Sequence, residues 1–373
     1  MALQRADVEH RAAAAPVPGV ARLARRHGGQ ARRGARRDPR VSGDPWAGAR
    51  AVGIHALPIP TPFLVGRVNC YLIEDEPLTL VDCGPNSGRA LDELERALAA
   101  LGRRVEDLER IVITHQHADH QGLAGILARR SGAEVCALDA LAPWLAGYAQ
   151  ETVLDEEFTQ LLLAAHGVPR PVANALAAVS HAFRGWGGAC PVDRPLSDGG
   201  TLEFAGRTLR VHHRPGHSPS DTVLLDEARG VLLGGDHLLA HISSNPLIQR
   251  PLGRPADAPR PHALATYIAS MRTTAATDLE LVLPGHGEPF ADHRALVADR
   301  ERLHERRAAK IARLVEDEPL SAHEVARRMW GDAAESQALL TLSEVLGHTD
   351  LLLADGRVRE DVGDDGVVRF SAA

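Results

Sequence analysis

Thr114-His115-Gln116-His117-Ala118-Asp119-His120 comes directly after the apolar run Ile111-Val112-Ile113, which reads as a buried strand. It precedes Gly122 to Arg130, which reads as a helix. His115 and His117 are two apart, so in extended chain they project to one side, and the turn into the helix swings Asp119 and His120 towards a second point. Imidazole with carboxylate is a ligand set suited to zinc, iron or manganese, and burying four such groups together without a cation is expensive. The bland alternative is a solvated histidine cluster on the surface.

Three later pieces share the pattern. His217 in Arg214-Pro215-Gly216-His217-Ser218, Asp236 in Gly234-Gly235-Asp236-His237 and His286 in Pro284-Gly285-His286-Gly287 each follow an expected strand and sit beside glycine. Glycine lets backbone turn sharply and approach a site closely, and loops at strand ends are where a rigid scaffold presents ligands. Any one of these alone would be an ordinary loop.

Outward from the cluster, Val68 to Ile73 and Leu78 to Asp82 read as paired strands, and Ser87 to Leu101 as an amphipathic helix with Leu91, Leu94, Leu98 and Leu101 on one face. Further strands are expected at Thr208 to His212, Thr222 to Leu225, Val231 to Leu233 and Leu279 to Leu283. Residues 140–190 look helical and hold Trp144, Tyr148, Phe158, Phe183 and Trp186, five of the thirteen aromatics of the chain. They are read either as a substrate pocket or as the private core of a helical insertion. A connecting helix follows within 290–318, packing through Leu296, Leu303, Ile311 and Leu314. Residues 319–370 then read as a small winged-helix module. A capping box at Ser321 and Glu324 opens its first helix, and Ala334 to Gly347 is its second. A hairpin of Leu351-Leu352-Leu353 and Arg357-Val358-Arg359 turns at Asp355-Gly356.

The chain has 373 residues, 24% charged and 44% hydrophobic, with no apolar run near the roughly 18 residues of a membrane-spanning helix. Cys70, Cys83, Cys136 and Cys190 form no CxxC pair, so a cytoplasmic setting is expected. Residues 1–50 carry eleven Arg against Asp7, Glu9, Asp38 and Asp44, a local +7 that leaves −14 on the rest. They read as a disordered Arg-rich extension. The acidic body disfavours nucleic acid as a partner, and the single lysine, Lys310, argues against lysine-based covalent catalysis.

The HxHxDH stretch, the glycine-flanked histidine, the GD pair and the final GHG resemble, in that order, the metallo-β-lactamase superfamily over residues 52–289. The resemblance implies an α/β fold, a four-layer αββα sandwich, with two divalent metal ions, zinc being the expectation, at the edge of its sheets. It implies His115, His117 and His217 on one metal, Asp119, His120 and His286 on the other, and Asp236 bridging both. Asp82 is implied to support the motif loop. His237 and His241 stay open between neighbours that support the ligands or donate a proton and plain structural histidines. Two such cations would bring a shared water near neutrality, with Asp119 as its catalytic orienting group or proton acceptor.

Lactamases of the main class carry cysteine where this chain has Asp236, whereas glyoxalase II, ribonuclease Z and many lactonases and thioesterases carry aspartate. The C-terminal module is similar to that of the subfamily containing beta-lactamase-like protein 2, whose members include thioester hydrolases and ribonucleases. The expected function is hydrolysis of a thioester or ester of a small anionic or acyl metabolite. The alternatives are a metal-dependent endoribonuclease, an iron persulfide dioxygenase and a non-catalytic binding protein. A homo-oligomer is compatible with all of these.

Overall fold

A computed structural model describes residues 44–373, so the disordered reading of residues 1–43 lies outside the described residues. Residues 44–50 correct it at its end. Helix α1 (Ala47–Ala51) buries Ala49, and the preceding Trp46 ring sits 6.2 Å from Tyr71. One aromatic and one alanine are enough to dock a single turn, a signal too short to show as a periodic face.

Strands β1 (Ile54–Ile59), β2 (Val68–Ile73) and β3 (Thr79–Val81) pair antiparallel in turn. Helix α2 (Gly88–Ala100) starts where Ser87 Oγ accepts from Ala90 N at 3.1 Å, an N-cap. β4 (Arg110–Ile113), the short α3 (Ala118–Gln121), α4 (Ala124–Ser131) and β5 (Glu134–Leu138) follow. After the helices α5 (Ala142–Ala146), α6 (Tyr148–Ala165) and α7 (Arg170–Phe183), β6 (Arg194–Leu196) completes a six-stranded sheet whose strands β3 to β6 run parallel.

β7 (Thr201–Glu203), β8 (Thr208–His213), β9 (Thr222–Asp226) and β10 (Val231–Gly235) form the second sheet. After α8 (Ala263–Ala275), β11 (Leu281–Pro284) joins it beside β10, in parallel. Strand periodicity explains the layers. In β2, Tyr71 and Ile73 face Val211, Leu224 and Leu233 of the other sheet, while Val68, Cys70 and Leu72 face the cluster that contains Leu94, Leu98 and Leu127 of the covering helices. Strands β2 to β5 and β9 to β11 are largely buried on both faces, which is why they read as near-continuous apolar runs, whereas β8 alternates, with Thr208, Arg210 and His212 on its open face. The architecture is the expected αββα sandwich.

The C-terminal region departs from its sequence reading in two places. Helix α9 (His293–Leu314) buries Val297, His304, Ala308, Ile311 and Ala312, whereas Leu296 and Leu303 sit half-buried beside that stripe. Then come β12 (Leu320–Ser321), α10 (Ala322–Trp330) with the capping box formed, α11 (Ala333–Ser336) and α12 (Ala338–Ala354). Leu351 to Leu353 therefore belong to a helix and not to a hairpin. Leu342, Val345, Leu346, Thr349 and Leu352 extend one buried face, and the Asp-Gly pair ends it: Gly356 has φ +64°, and Arg357 N bonds Leu352 O at 2.9 Å. The hairpin lies further on, in β13 (Val358–Val362) and β14 (Val368–Ala372), with β12 completing a three-stranded sheet.

The helical insertion and this C-terminal region share one core. Phe158, Leu162 and Leu163 of α6 pack with Ile248, Ile311, Leu342, Leu346 and Phe370. Among the described residues no helix is long and apolar enough to cross a membrane, and all four cysteines are free and buried.

Candidate metal centre

The cluster stands where β4 leaves the sheet. Asp82, just past β3 and in the left-handed region at φ +58°, accepts from Thr114 N at 2.9 Å, from Thr114 Oγ1 at 2.8 Å and from His120 Nδ1 at 2.7 Å. Since Thr114 Oγ1 spends its proton on Asp82, it accepts from His115 Nδ1 at 3.0 Å. His217 Nδ1 donates to the Ser244 carbonyl, and His286 Nδ1 donates to the Arg67 carbonyl at 2.8 Å. Four imidazoles thus have Nδ1–H fixed by oxygen acceptors, leaving Nε2 as the nitrogen turned towards the site.

His117 is turned the other way, with Nδ1 inward, 3.0 Å from His115 Nε2 and 2.9 Å from His217 Nε2. Asp236 stands between this trio and the second group. Its carboxylate is 3.6 Å from His217 Nε2, 3.4 Å from His120 Nε2 and 3.5 Å from His286 Nε2, and Asp119 Oδ2 is 3.3 Å from His286 Nε2. The close approach needs Gly285: a Cβ there would lie 2.2 Å from Asp236 Oδ1 and 2.9 Å from His120 Cε1. All seven residues expected to hold metal are therefore brought together, in sets whose ligand atoms lie within 4.8 Å of one another.

The charge balance fits cations. Burial disfavours charge on His120, yet Asp236, Asp82 and Asp119 outweigh it and hold its pKa well above the usual histidine value; His286 is raised against burial by Asp236 and Asp119. Asp236 is held well below the carboxylate range, burial being overcome by His120, His286 and His217, and Asp119 is likewise lowered by His120 and His286. His115 and His117 are pushed down by burial and by neighbouring histidines, His117 to about 3, so both offer lone pairs. His120 Nε2, His286 Nε2 and Asp236 Oδ1 are buried with no hydrogen-bond partner. Such atoms are costly to bury, and divalent cations would satisfy all three.

His237 and His241 join none of these sets. His237 Nε2 pairs with Thr274 Oγ1 at 2.8 Å and its carbonyl accepts from Tyr267 OH, a structural role. His241 sits on the exposed rim against Gly287. A separate buried set, His304, Glu344 and His348, joins α9 to α12. Glu344 is paired with Arg307 there, and His348 Nδ1 donates to the Glu344 carbonyl at 2.6 Å, so His304 Nδ1–H donates to His348 Nε2 at 3.2 Å.

The aromatic pocket needs correcting. A cavity of about 260 Å³ opens beside His117 and Gln116, lined by Trp144, Tyr148 and Phe183 and by Leu339 of α12. Phe158 is instead part of the core shared with the C-terminal region, because its position on α6 faces α12. Trp186 does not line the cavity either: its carbonyl takes Asn86 N at 2.6 Å, which ties the end of the insertion to the loop before α2. Leu339 and Gln249 were missed. Neither lies in a motif, and no periodicity marks them.

An αββα sandwich with a histidine–aspartate cluster at its sheet edge defines a metal-dependent hydrolase class. Residues 64–286 match the profile of the Metallo-beta-lactamase superfamily, and residues 308–373 match its Metallo-beta-lactamase-like, C-terminal domain. The chain belongs to the metallo-β-lactamase superfamily. It is 33% identical over 300 residues to "Probable metallo-hydrolase YqjP" of Bacillus subtilis (strain 168), covering 80% of this chain and 92% of that one. The crystal structure of a beta-lactamase domain protein from Burkholderia ambifaria aligns with a TM-score of 0.74 at 28% identity, over 90% of this chain and 97% of the other. Two shorter matches differ in activity. The atrochrysone carboxyl ACP thioesterase of Aspergillus terreus (strain NIH 2624 / FGSC A1156) is 27% identical over 120 residues, 32% of this chain and 33% of that one. The exodeoxyribonuclease WalJ of Streptococcus pneumoniae serotype 2 (strain D39 / NCTC 7466) is 42% identical over 67 residues, 18% of this chain and 23% of that one.

Proposed function

We propose that the protein is a dinuclear zinc hydrolase of acyl thioesters or related esters of small metabolites. The observation that carries this reading is Asp236, whose carboxylate lies within 3.6 Å of ligand nitrogens from both histidine groups. His115, His117 and His217 would hold one cation and Asp119, His120 and His286 the other. Two bound divalent cations supply a water acidic enough to ionise near neutral pH and a Lewis acid for the carbonyl.

The chain's own residues do the rest. Asp119, 6% exposed and kept ionised by His120 and His286, is placed to accept the proton of the attacking water. Trp144, Tyr148, Phe183 and Leu339 offer an apolar wall beside His117, which suits an acyl chain better than a sugar–phosphate backbone. α12, the helix that a winged-helix reading would lay on nucleic acid, has no Lys or Arg and buries most of its length. The thioesterase relative supports this reading and the exodeoxyribonuclease relative the competing one. Incubating metal-loaded protein with acyl thioesters of graded length, and in parallel with single-stranded RNA and DNA, separates them. Thioester cleavage that Asp236→Ala abolishes is expected; nuclease turnover without thioester turnover would refute the proposal.

A further inference from the structure

Among the five clustered histidines, His117 alone offers Nδ1 to the site, and it alone has a partner that could be read either way round. The other four outer nitrogens meet fixed acceptors: Thr114 Oγ1, Asp82, and the carbonyls of Ser244 and Arg67. His117 Nε2 meets the side-chain amide of Gln249 at 2.8 Å. A chain of groups runs on from there. Gln249 pairs with the amide of Gln116 at 2.7 Å, Gln116 with Ser220 Oγ, and Ser220 Oγ lies 3.5 Å from Ser218 Oγ, which donates to Asp221 at 2.6 Å. Gln116, Ser218, Ser220 and Asp221 are buried, Gln249 is half-buried at the wall of the cavity beside His117, and the chain ends on a carboxylate that accepts only.

An amide has a donor end and an acceptor end of nearly the same shape, so two amides in series can reverse together without moving their carbons. With Gln249 Nε2 towards His117, His117 Nε2 accepts and its Nδ1 carries the proton, shared between His115 Nε2 and His217 Nε2. A histidine that gives its Nδ1 lone pair to a cation must carry its proton on Nε2, which needs an acceptor. With both amides reversed, Gln249 Oε1 meets His117 Nε2–H, Gln249 Nε2 meets Gln116 Oε1, and Gln116 Nε2 meets Ser220 Oγ. Every link then still has one donor and one acceptor.

We infer that Gln249, backed by Gln116, is the positioning residue that selects the metal-binding tautomer of His117. The inference rests on the metal reading above and deepens it, because Gln249 belongs to neither the motif nor the sheets. The residues on either side of it are held by regions outside the sandwich. Ile248 N donates to Ser343 Oγ of α12 at 3.1 Å, and Arg250 Nε donates to Asp155 of α6 at 2.7 Å. The insertion and the C-terminal helix thus hold in place the residue that orients a ligand.

The test is zinc affinity by chelator competition, alongside the His117 ring-nitrogen shifts in the zinc-loaded protein. Gln249→Leu keeps the size and removes the acceptor; it should weaken the zinc held by His115, His117 and His217 about 10- to 100-fold. Gln249→Glu accepts from both His117 Nε2–H and Gln116 Nε2–H, and should restore or exceed wild-type affinity. That rescue is an outcome which mere packing by Gln249 would not produce. Ser343→Ala should cause a smaller loss in the same direction. Wild-type affinity in Gln249→Leu, or equal loss in the Leu and Glu variants, overturns the inference while leaving the metal reading intact. If His117→Ala also keeps wild-type affinity, the metal reading falls with it.

Discussion

Asp82 Oδ2 accepts the Nδ1 proton of His120 at 2.7 Å, and the same carboxylate takes both the amide and the hydroxyl of Thr114. One side chain therefore fixes the start of the motif loop and the outward face of a ligand at its end. Asn tolerates the positive φ at this position, but it must turn a donor towards one of three donors. Asp82→Asn should fold and lose about 10- to 100-fold in affinity for the cation nearest His120. Chelator competition with a parallel melting curve checks this.

Gly285→Ala would place a methyl group against Asp236 Oδ1 and His120. Because the clash falls on the ligands and not on the sandwich core, far-UV circular dichroism should be unchanged while bound metal and turnover fall together. A variant with full metal content would show that Asp236 can move aside.

His304 and His348 form a buried pair, and burial, assisted by His348, Arg307 and Arg300, pushes His304 down to about 3. An unfolded histidine takes a proton near pH 6.5, so between that value and about 3 the unfolded state binds the extra proton and the native state does not. The contribution is fully present above pH 6.5 and drains away on acidification. Melting temperature should fall from pH 7 to pH 5, and His304→Leu should flatten that fall, compared as slopes in otherwise identical protein.

Leu339 lines the cavity from α12. Leu339→Phe should raise KM several-fold for the longest acyl thioester turned over and leave kcat for the shortest nearly unchanged. A uniform loss across all lengths would mean that the cavity does not receive the acyl chain.

The sandwich was legible because most of its strands are short apolar runs, and the seven clustered residues because the HxHxDH stretch and the glycine-flanked His217, Asp236 and His286 follow one another in the order of the superfamily they resemble. Of what holds them, Asp82 alone was legible. Ser244 and Arg67 act through carbonyls, which any residue would supply, and Gln249 acts from an irregular loop. Asp355-Gly356 misled because the same pair serves a hairpin turn and a helix C-cap; the buried face that continues through Thr349 and Leu352 decides for the helix. That the insertion shares a core with the C-terminal region was not legible, since packing among Phe158, Leu346 and Phe370 leaves no local period.

The central claim is that Asp236 joins two cation sites. Elemental analysis of protein purified without chelators and reconstituted with zinc measures it directly. The account predicts about two equivalents of zinc per chain, falling to one or fewer in Asp236→Ala with loss of hydrolysis. A reproducible single equivalent of iron in the wild type, or two zinc equivalents retained by Asp236→Ala, would contradict it.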